Sequence, residues 1–204
     1  SDLGKPQFKK TYSNDVLDGE YIAFYNNGKP QQRSLYEKGL LSGETDYFDH
    51  DGNLVKIEHY QNGVKNGVER IIQNNTLVEE NNYVDGKLDG VSKKYNAQYL
   101  TEEITYKNGK RNGVRRIFAE DGGITIIPYV NDKKSGIGKS FSPTTRIGTR
   151  TNYLNDKKNG IYSEWIDNGA IENVEKYDRT PQDADCQCKQ IRIENYKNDK
   201  KDGV

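Results

Sequence analysis

The side chains in this chain that could do chemistry are two histidines, two cysteines, a scatter of carboxylates and 15 tyrosines. Asp49-His-Asp-Gly-Asn53 offers alternating oxygen donors, the kind of ligand set a calcium loop uses, but it lacks the closing glutamate of such a loop. The same residues are those that build a hairpin tip, and that is the simpler reading. His50 and His59 come with no nucleophile, acidic orienter or ligand spacing that defines a site, so both read as surface histidines. Cys186 and Cys188 stand at alternate positions, where an extended chain points them apart, which suits an internal disulfide poorly. Two thiols also fall short of a four-ligand zinc site, leaving a partner disulfide or a redox response as their chemistry. No catalytic residue, metal ligand or cofactor-binding residue is expected, and the chain reads as non-enzymatic.

Basic and aromatic side chains carry the remaining candidates. Lys110, Arg111, Lys133, Lys134, Lys157 and Lys158 form pairs at one period and would line a basic edge in the C-terminal half. Such an edge can meet phosphate on a lipid headgroup or a polyanion. It also serves to block sheet-to-sheet association, as charges at turns and edges do. Tyr21, Tyr47 and Tyr162 fall on the strand face opposite the main aromatic column and are the candidates for contact with another protein.

What positions all of these is a repeat. Tyr12, Tyr36, Tyr60, Tyr83, Tyr106, Tyr129, Tyr153 and Tyr196 each stand seven residues before a glycine, from Gly19 to Gly203. Up to Tyr153 the step is 23 or 24 residues, the mark of a repeat architecture. Three residues after each tyrosine stands Gly or Asp, types that accept positive φ. Behind each glycine comes a short alternating stretch, as in Gly113-Val-Arg-Arg-Ile-Phe118, with a large residue twelve positions after the tyrosine: Phe24, Phe48, Ile72, Tyr95, Phe118, Phe141 and Trp165. Asn27-Gly28, Asp51-Gly52, Asp121-Gly122 and Asn168-Gly169 then signal hairpins, while Asn74-Asn75, Asn96-Ala97 and Pro143-Thr144 are weaker versions. A second stretch, such as Leu54-Val-Lys-Ile-Glu-His-Tyr60, leads into the next tyrosine.

Two short strands and two turns fill the period and leave no room for a helix. The expectation is all-β: an elongated single antiparallel sheet of tandem β-hairpin repeats of 23–24 residues, stabilised by aromatics stacking on their equivalents in neighbouring units. Residues 1–11 read as a lead-in, 12–177 as tandem repeats, 178–190 as an irregular loop or degenerate repeat, and 191–204 as a final truncated repeat.

Composition agrees with a thin sheet, since 32% of residues are hydrophobic and 30% charged, too polar for a thick core. The 31 basic and 31 acidic residues cancel, so no global field draws the chain to nucleic acid. The balance is uneven, however: the first half is net acidic and the second net basic.

The phrases Tyr60-Gln-Asn-Gly-Val-Lys-Asn-Gly-Val68 and Tyr106-Lys-Asn-Gly-Lys-Arg-Asn-Gly-Val114 resemble the MORN repeat. The likeness is to the bacterial variant found in YwqK-type antitoxin repeat proteins. It extends over nearly the whole chain from Tyr12, with Asp156 replacing the first glycine in Tyr153-Leu-Asn-Asp-Lys-Lys-Asn-Gly-Ile161. The resemblance implies a hairpin sheet that acts as a scaffold for protein binding, including neutralisation of a toxin. The reading is therefore a non-enzymatic scaffold for protein–protein interaction, in the cell envelope or secreted, with cytoplasm the alternative. Its partner would be another protein, a toxin or a surface protein. Attachment to a membrane surface or polyanion through the basic edge is the alternative function, and self-association through open sheet ends is a third outcome.

Overall fold

The computed structural model describes residues 6–167 and 188–202. All regular structure there is β: nineteen strands, from Phe8–Ser13 to Lys200–Lys201, make an antiparallel sheet of tandem hairpins. The expectation of an all-β hairpin-repeat sheet is met. The chain divides into two compact units, Ser1–Leu100 with Tyr106–Gly109, and Thr101–Thr105 with Lys110–Val204.

Each repeat uses two different turns. The turn after the tyrosine has two consecutive residues at positive φ, for example Asn62 (51°) and Gly63 (79°), or Asn155 (50°) and Asp156 (72°). That is the type I′ signature, whose twist matches the flanking strands. The tips at Asn27-Gly28, Asp51-Gly52 and Asp121-Gly122 are hairpins, as the sequence suggests, but of a longer kind. Only the glycine has positive φ there. Gly28 N–H donates to Tyr25 O (2.8 Å) and Tyr25 N–H to Lys29 O (2.9 Å), a type I turn closed by a glycine bulge. The tip expected at Asn96-Ala97 lies one residue on, at Ala97 (φ 46°) and Gln98 (φ 76°).

The repeating glycine sits where a strand leaves its register. Gly113 pairs with Tyr129 of the following strand, and a Cβ on it would lie 2.8 Å from the Thr105 Cβ. Its φ of +133° is in addition one that L-residues rarely adopt. Gly67 repeats this with His59 at 2.9 Å, and Gly160 with Asn152 at 2.8 Å. The seven-residue spacing from tyrosine to glycine is thus the length of one I′ turn plus one bulge.

Successive turns stack by backbone hydrogen bonds. Gly63 N–H donates to Leu41 O (2.8 Å) and Gly86 N–H to Lys65 O (2.8 Å) in the first unit. In the second, Asp132 N–H donates to Arg111 O and Asp156 N–H to Lys134 O, both at 3.0 Å. Here Asp replaces Gly, and its carboxylate returns a bond: Asp132 Oδ1 accepts from Arg111 N–H and Asp156 Oδ1 from Lys134 N–H, each at 2.9 Å. The strain of positive φ at aspartate is offset by a charge-assisted bond to backbone.

The sequence points to aromatic columns as the core. The buried positions among the described residues are instead mixed, with Ile22, Ala23, Ile104, Tyr129, Phe141 and Trp165 beside Ser34, Thr45, Glu58, Glu69, Asn81, Ser92, Thr151 and Asp167. A single sheet layer has no second layer to bury it, so its middle row is covered by its own long side chains. In the first unit that row runs Tyr21, Ser34, Thr45, Glu58 by direct cross-strand pairing. The repeat tyrosines stand two residues along the same strands, hence on the same face.

Candidate binding faces

On this tyrosine face the first unit gathers a buried ionic cluster. Lys65 Nζ donates to Glu58 Oε1 (2.9 Å) and to Glu69 Oε1 (2.5 Å), and lies 4.0 Å from the centre of the Tyr83 ring. Tyr60 donates to Glu58 Oε2 (2.8 Å), and Asn81 Nδ2 to Glu69 Oε2 (2.9 Å). Lys56 Nζ reaches Glu58 at 3.1 Å and the Tyr47 ring at 4.1 Å. Burial alone would raise the Glu58 carboxyl, but donors from Lys65, Tyr60, Tyr47 and Lys56 outweigh it and hold the group down at about 2. Burial first, then hydrogen bonding with Tyr60 and Glu58, drives the Tyr47 hydroxyl far above its usual range. Lys65 is pushed up by its two carboxylates despite burial. These groups satisfy one another, which is what a polar cluster in a low-dielectric setting requires.

The second unit builds the same face by the same rule. The cation five residues after each tyrosine lies over a tyrosine further along: Arg111 over Tyr129 (4.4 Å), Lys134 over Tyr153 (5.4 Å), and Lys158 between Tyr162 (5.2 Å) and Tyr196 (5.0 Å). Arg115 grips Glu102 with two parallel bonds of 3.1 and 3.0 Å. Hydrogen bonds from Lys201, Tyr196 and Arg192 hold the Glu194 carboxyl down at about 2.

The sequence candidates distribute as follows. Tyr21, Tyr47 and Tyr162 were expected on the face opposite the main aromatic column; cross-strand pairing with Ser34, Lys56 and Glu194 instead puts them, half-buried, on the face of the repeat tyrosines. Tyr21 packs 5.7 Å from Tyr36, and Tyr162 packs 6.5 Å from Tyr196 and donates to Glu164 (3.3 Å). Strand alternation splits each basic pair: Lys110, Lys133 and Lys157 are exposed on the reverse face, whereas Arg111, Lys134 and Lys158 cover rings. Asp49 Oδ1 accepts from Asp51 N–H and Asn53 N–H, both at 2.9 Å, so this carboxylate closes its own hairpin tip. His50 stacks on Tyr25 at 3.9 Å, and His59 Nδ1 donates to Val68 O at 2.7 Å. No group of three or more His, Cys, Asp or Glu side chains is arranged to hold a metal among the described residues. Cys186 and residues 178–187 lie outside the described residues, and the strand Cys188–Lys197 begins immediately after them.

The reverse face is built differently. Its exposed apolar side chains recur beside the repeat tyrosines, among them Leu35, Val64 and Val84 in the first unit and Val130, Leu154 and Ile161 in the second. Sequence reading did not single out this face, nor the Lys65 cluster. The signal for the cluster was present: Glu58 is two residues before Tyr60 and Glu69 two after Gly67, which puts both on the tyrosine face by period-two alternation.

The observed form, an antiparallel sheet of tandem hairpin repeats, is consistent with a MORN-like repeat fold in general. No known family model matches the chain, and no curated protein matches it.

Proposed function

We propose that this chain is a non-enzymatic repeat scaffold that binds another protein, with neutralisation of a toxin the specific role its resemblance to the bacterial antitoxin repeats suggests. One observation carries the reading. In each unit the tyrosine face is closed on itself by cation–ring and carboxylate contacts, while the reverse face keeps aliphatic side chains exposed at the repeat period. Rows of exposed aliphatics on a rigid sheet suit a protein partner, because excluding water from them drives association. The half-buried Tyr21, Tyr47 and Tyr162 would act here by stiffening the sheet and by offering their ring edges to a partner that covers the tyrosine face.

A second reading, attachment to a polyanion or membrane surface, is favoured by the exposure of Lys110, Lys133 and Lys157 at one period. A pull-down with the whole chain from its native extract, washed at low and then high salt, separates the two. A single protein retained through high salt is the expected result. Recovery only of lipid or nucleic acid, lost as salt rises, would overturn the scaffold reading.

A further inference from the structure

We infer that the first unit binds a second copy of this chain through the turn-end margin of its reverse face, two-fold about Leu40. The contact goes beyond the partner binding proposed above and does not depend on it. It uses the first unit alone and leaves the exposed aliphatics of the second to a foreign protein.

The starting point is the two residues that close each repeat turn, one directly after the tyrosine and one four positions after it. In the first three repeats these are Ser13 and Val16, Glu37 and Leu40, and Gln61 and Val64, each a cross-strand pair. All six are exposed, Val16 by 44%, Leu40 by 48% and Val64 by 45%. The three aliphatics recur every two strands, about 9.6 Å across the sheet. Each rests against the glycine of the next turn. A Cβ on Gly39 would lie 3.4 Å from Val16 Cγ1, one on Gly63 3.4 Å from Leu40 Cδ2, and one on Gly86 3.6 Å from Val64 Cγ1. Side chains supported in this way lose little freedom on binding.

In strand order the margin reads Val16, Glu37, Leu40, Gln61, Val64. That order is palindromic in chemistry: aliphatic, acid, aliphatic, amide, aliphatic. A two-fold contact needs such a palindrome, because residue i then meets j while j meets i. With Leu40 on the axis, Leu40 faces Leu40 of the second copy and Val16 faces Val64 of the second copy. Glu37 faces Gln61 of the second copy, whose amide donates to the carboxylate. Every apolar side chain meets an apolar one, and the charge meets a donor. The second unit lacks this property. Its margin reads Val130, Lys133, Leu154, Lys157, so the same operation about Leu154 sets Lys133 against Lys157, and like charges disfavour association. The first unit's margin crosses five strands, about 20 Å. A patch of that length buries less than about 1,200 Å² in total, the range of weak, reversible complexes.

Sedimentation velocity of the whole chain, from about 10 µM to 1 mM, tests the contact. The expected result is a monomer–dimer equilibrium with a dissociation constant on the order of 100 µM and no larger species. The constant should change less than about twofold between low and high salt, because no ion pair crosses the axis. Q61K sets an ammonium against Glu37 of the second copy and should tighten the dimer about threefold. Q61E sets one carboxylate against another and should weaken it by about as much. L40E places two carboxylates at the axis and should abolish the dimer. Circular dichroism shows whether each variant is folded, and the opposed Gln61 variants decide the matter if L40E is not. A monomer at every concentration, a steep loss with salt, growth beyond a dimer, or the same effect from Q61K and Q61E would each overturn the inference. If L40E still dimerises but loses the protein that wild type retains through high salt, the margin belongs to that protein and the inference falls. If wild type dimerises yet retains no protein at either salt, the dimer stands and the scaffold reading falls.

Discussion

Replacing Lys65 by methionine tests whether the tyrosine face of the first unit is held by its ionic cluster. Lys65 keeps 18% of its side chain exposed, Glu58 7% and Glu69 9%, so all three charges are largely out of water. Methionine fills much of the same volume but leaves two carboxylates facing one another with no ammonium between them. Removing one partner of a buried ion pair costs about 3–5 kcal/mol, because the remaining charge stays desolvated. Asn81, Tyr60 and Lys56 still donate to the carboxylates, which puts the expected loss at the lower end, about 3 kcal/mol. The sign of the pH dependence follows from Glu58, whose carboxyl is held at about 2 against an ordinary value of 4.5. A depressed carboxyl contributes stability that is fully present above the ordinary value and is lost as pH falls toward the folded one. The gap between wild type and K65M should therefore be widest at neutral pH and close between about pH 4.5 and 2. Urea unfolding followed by circular dichroism at pH 7 and pH 3 measures both quantities. E58Q/K65M/E69Q should recover most of the loss, since it removes the buried charges together. A K65M loss below about 1 kcal/mol, or one that does not change with pH, would refute the argument that this cluster is buried and mutually dependent.

Three further variants test the turn geometry. G113A should destabilise by about 2 kcal/mol through its φ of +133° and the Thr105 side chain 2.8 Å from the new Cβ, whereas G43A, with its nearest neighbour at 3.9 Å, should cost about 1 kcal/mol. Equal melting temperatures for the two would remove the steric half of the account. A97N/Q98G supplies the residues a type I′ turn favours where Ala97 and Gln98 now hold φ of 46° and 76°, and should raise the melting temperature by several degrees. No rise would mean these residues carry little strain.

The period, the strand order and the places where backbone turns were legible in the sequence because they rest on local rules. Asn and Asp accept positive φ, glycine fits where a side chain cannot, and strands alternate their faces. The tips were less legible. Asn-Gly serves both a two-residue I′ turn and the end of a type I turn with a bulge, and only the bond from Tyr25 N–H to Lys29 O (2.9 Å) separates them at Gly28. The bulge at each repeating glycine had a larger consequence. Between Tyr153 and Trp165 the register slips at both ends of the glycine strand, next to Thr151 and next to Glu164. Counting by twos from the glycine therefore holds only between such slips.

Lys110-Arg111, Lys133-Lys134 and Lys157-Lys158 show the same limit from the chemical side. As a string they are three equal basic pairs. In the sheet each pair is divided, one cation spent on a tyrosine ring and the other left at the surface, so the charge available to a partner is about half of what composition suggests. The cross-strand row Arg116, Ile126, Lys139, Arg150, Ser163 and Ile193, each residue opposite the next, was illegible for the converse reason. Its members are 10, 13, 11, 13 and 30 residues apart, and they become neighbours only through five separate strand pairings. No window on the sequence contains them together, yet Lys139 and Arg150 face each other across the ladder. A tandem repeat thus makes its fold easy to read and its surface hard to read: the periodic residues build the sheet, and what a partner meets is set by residues that vary from one repeat to the next.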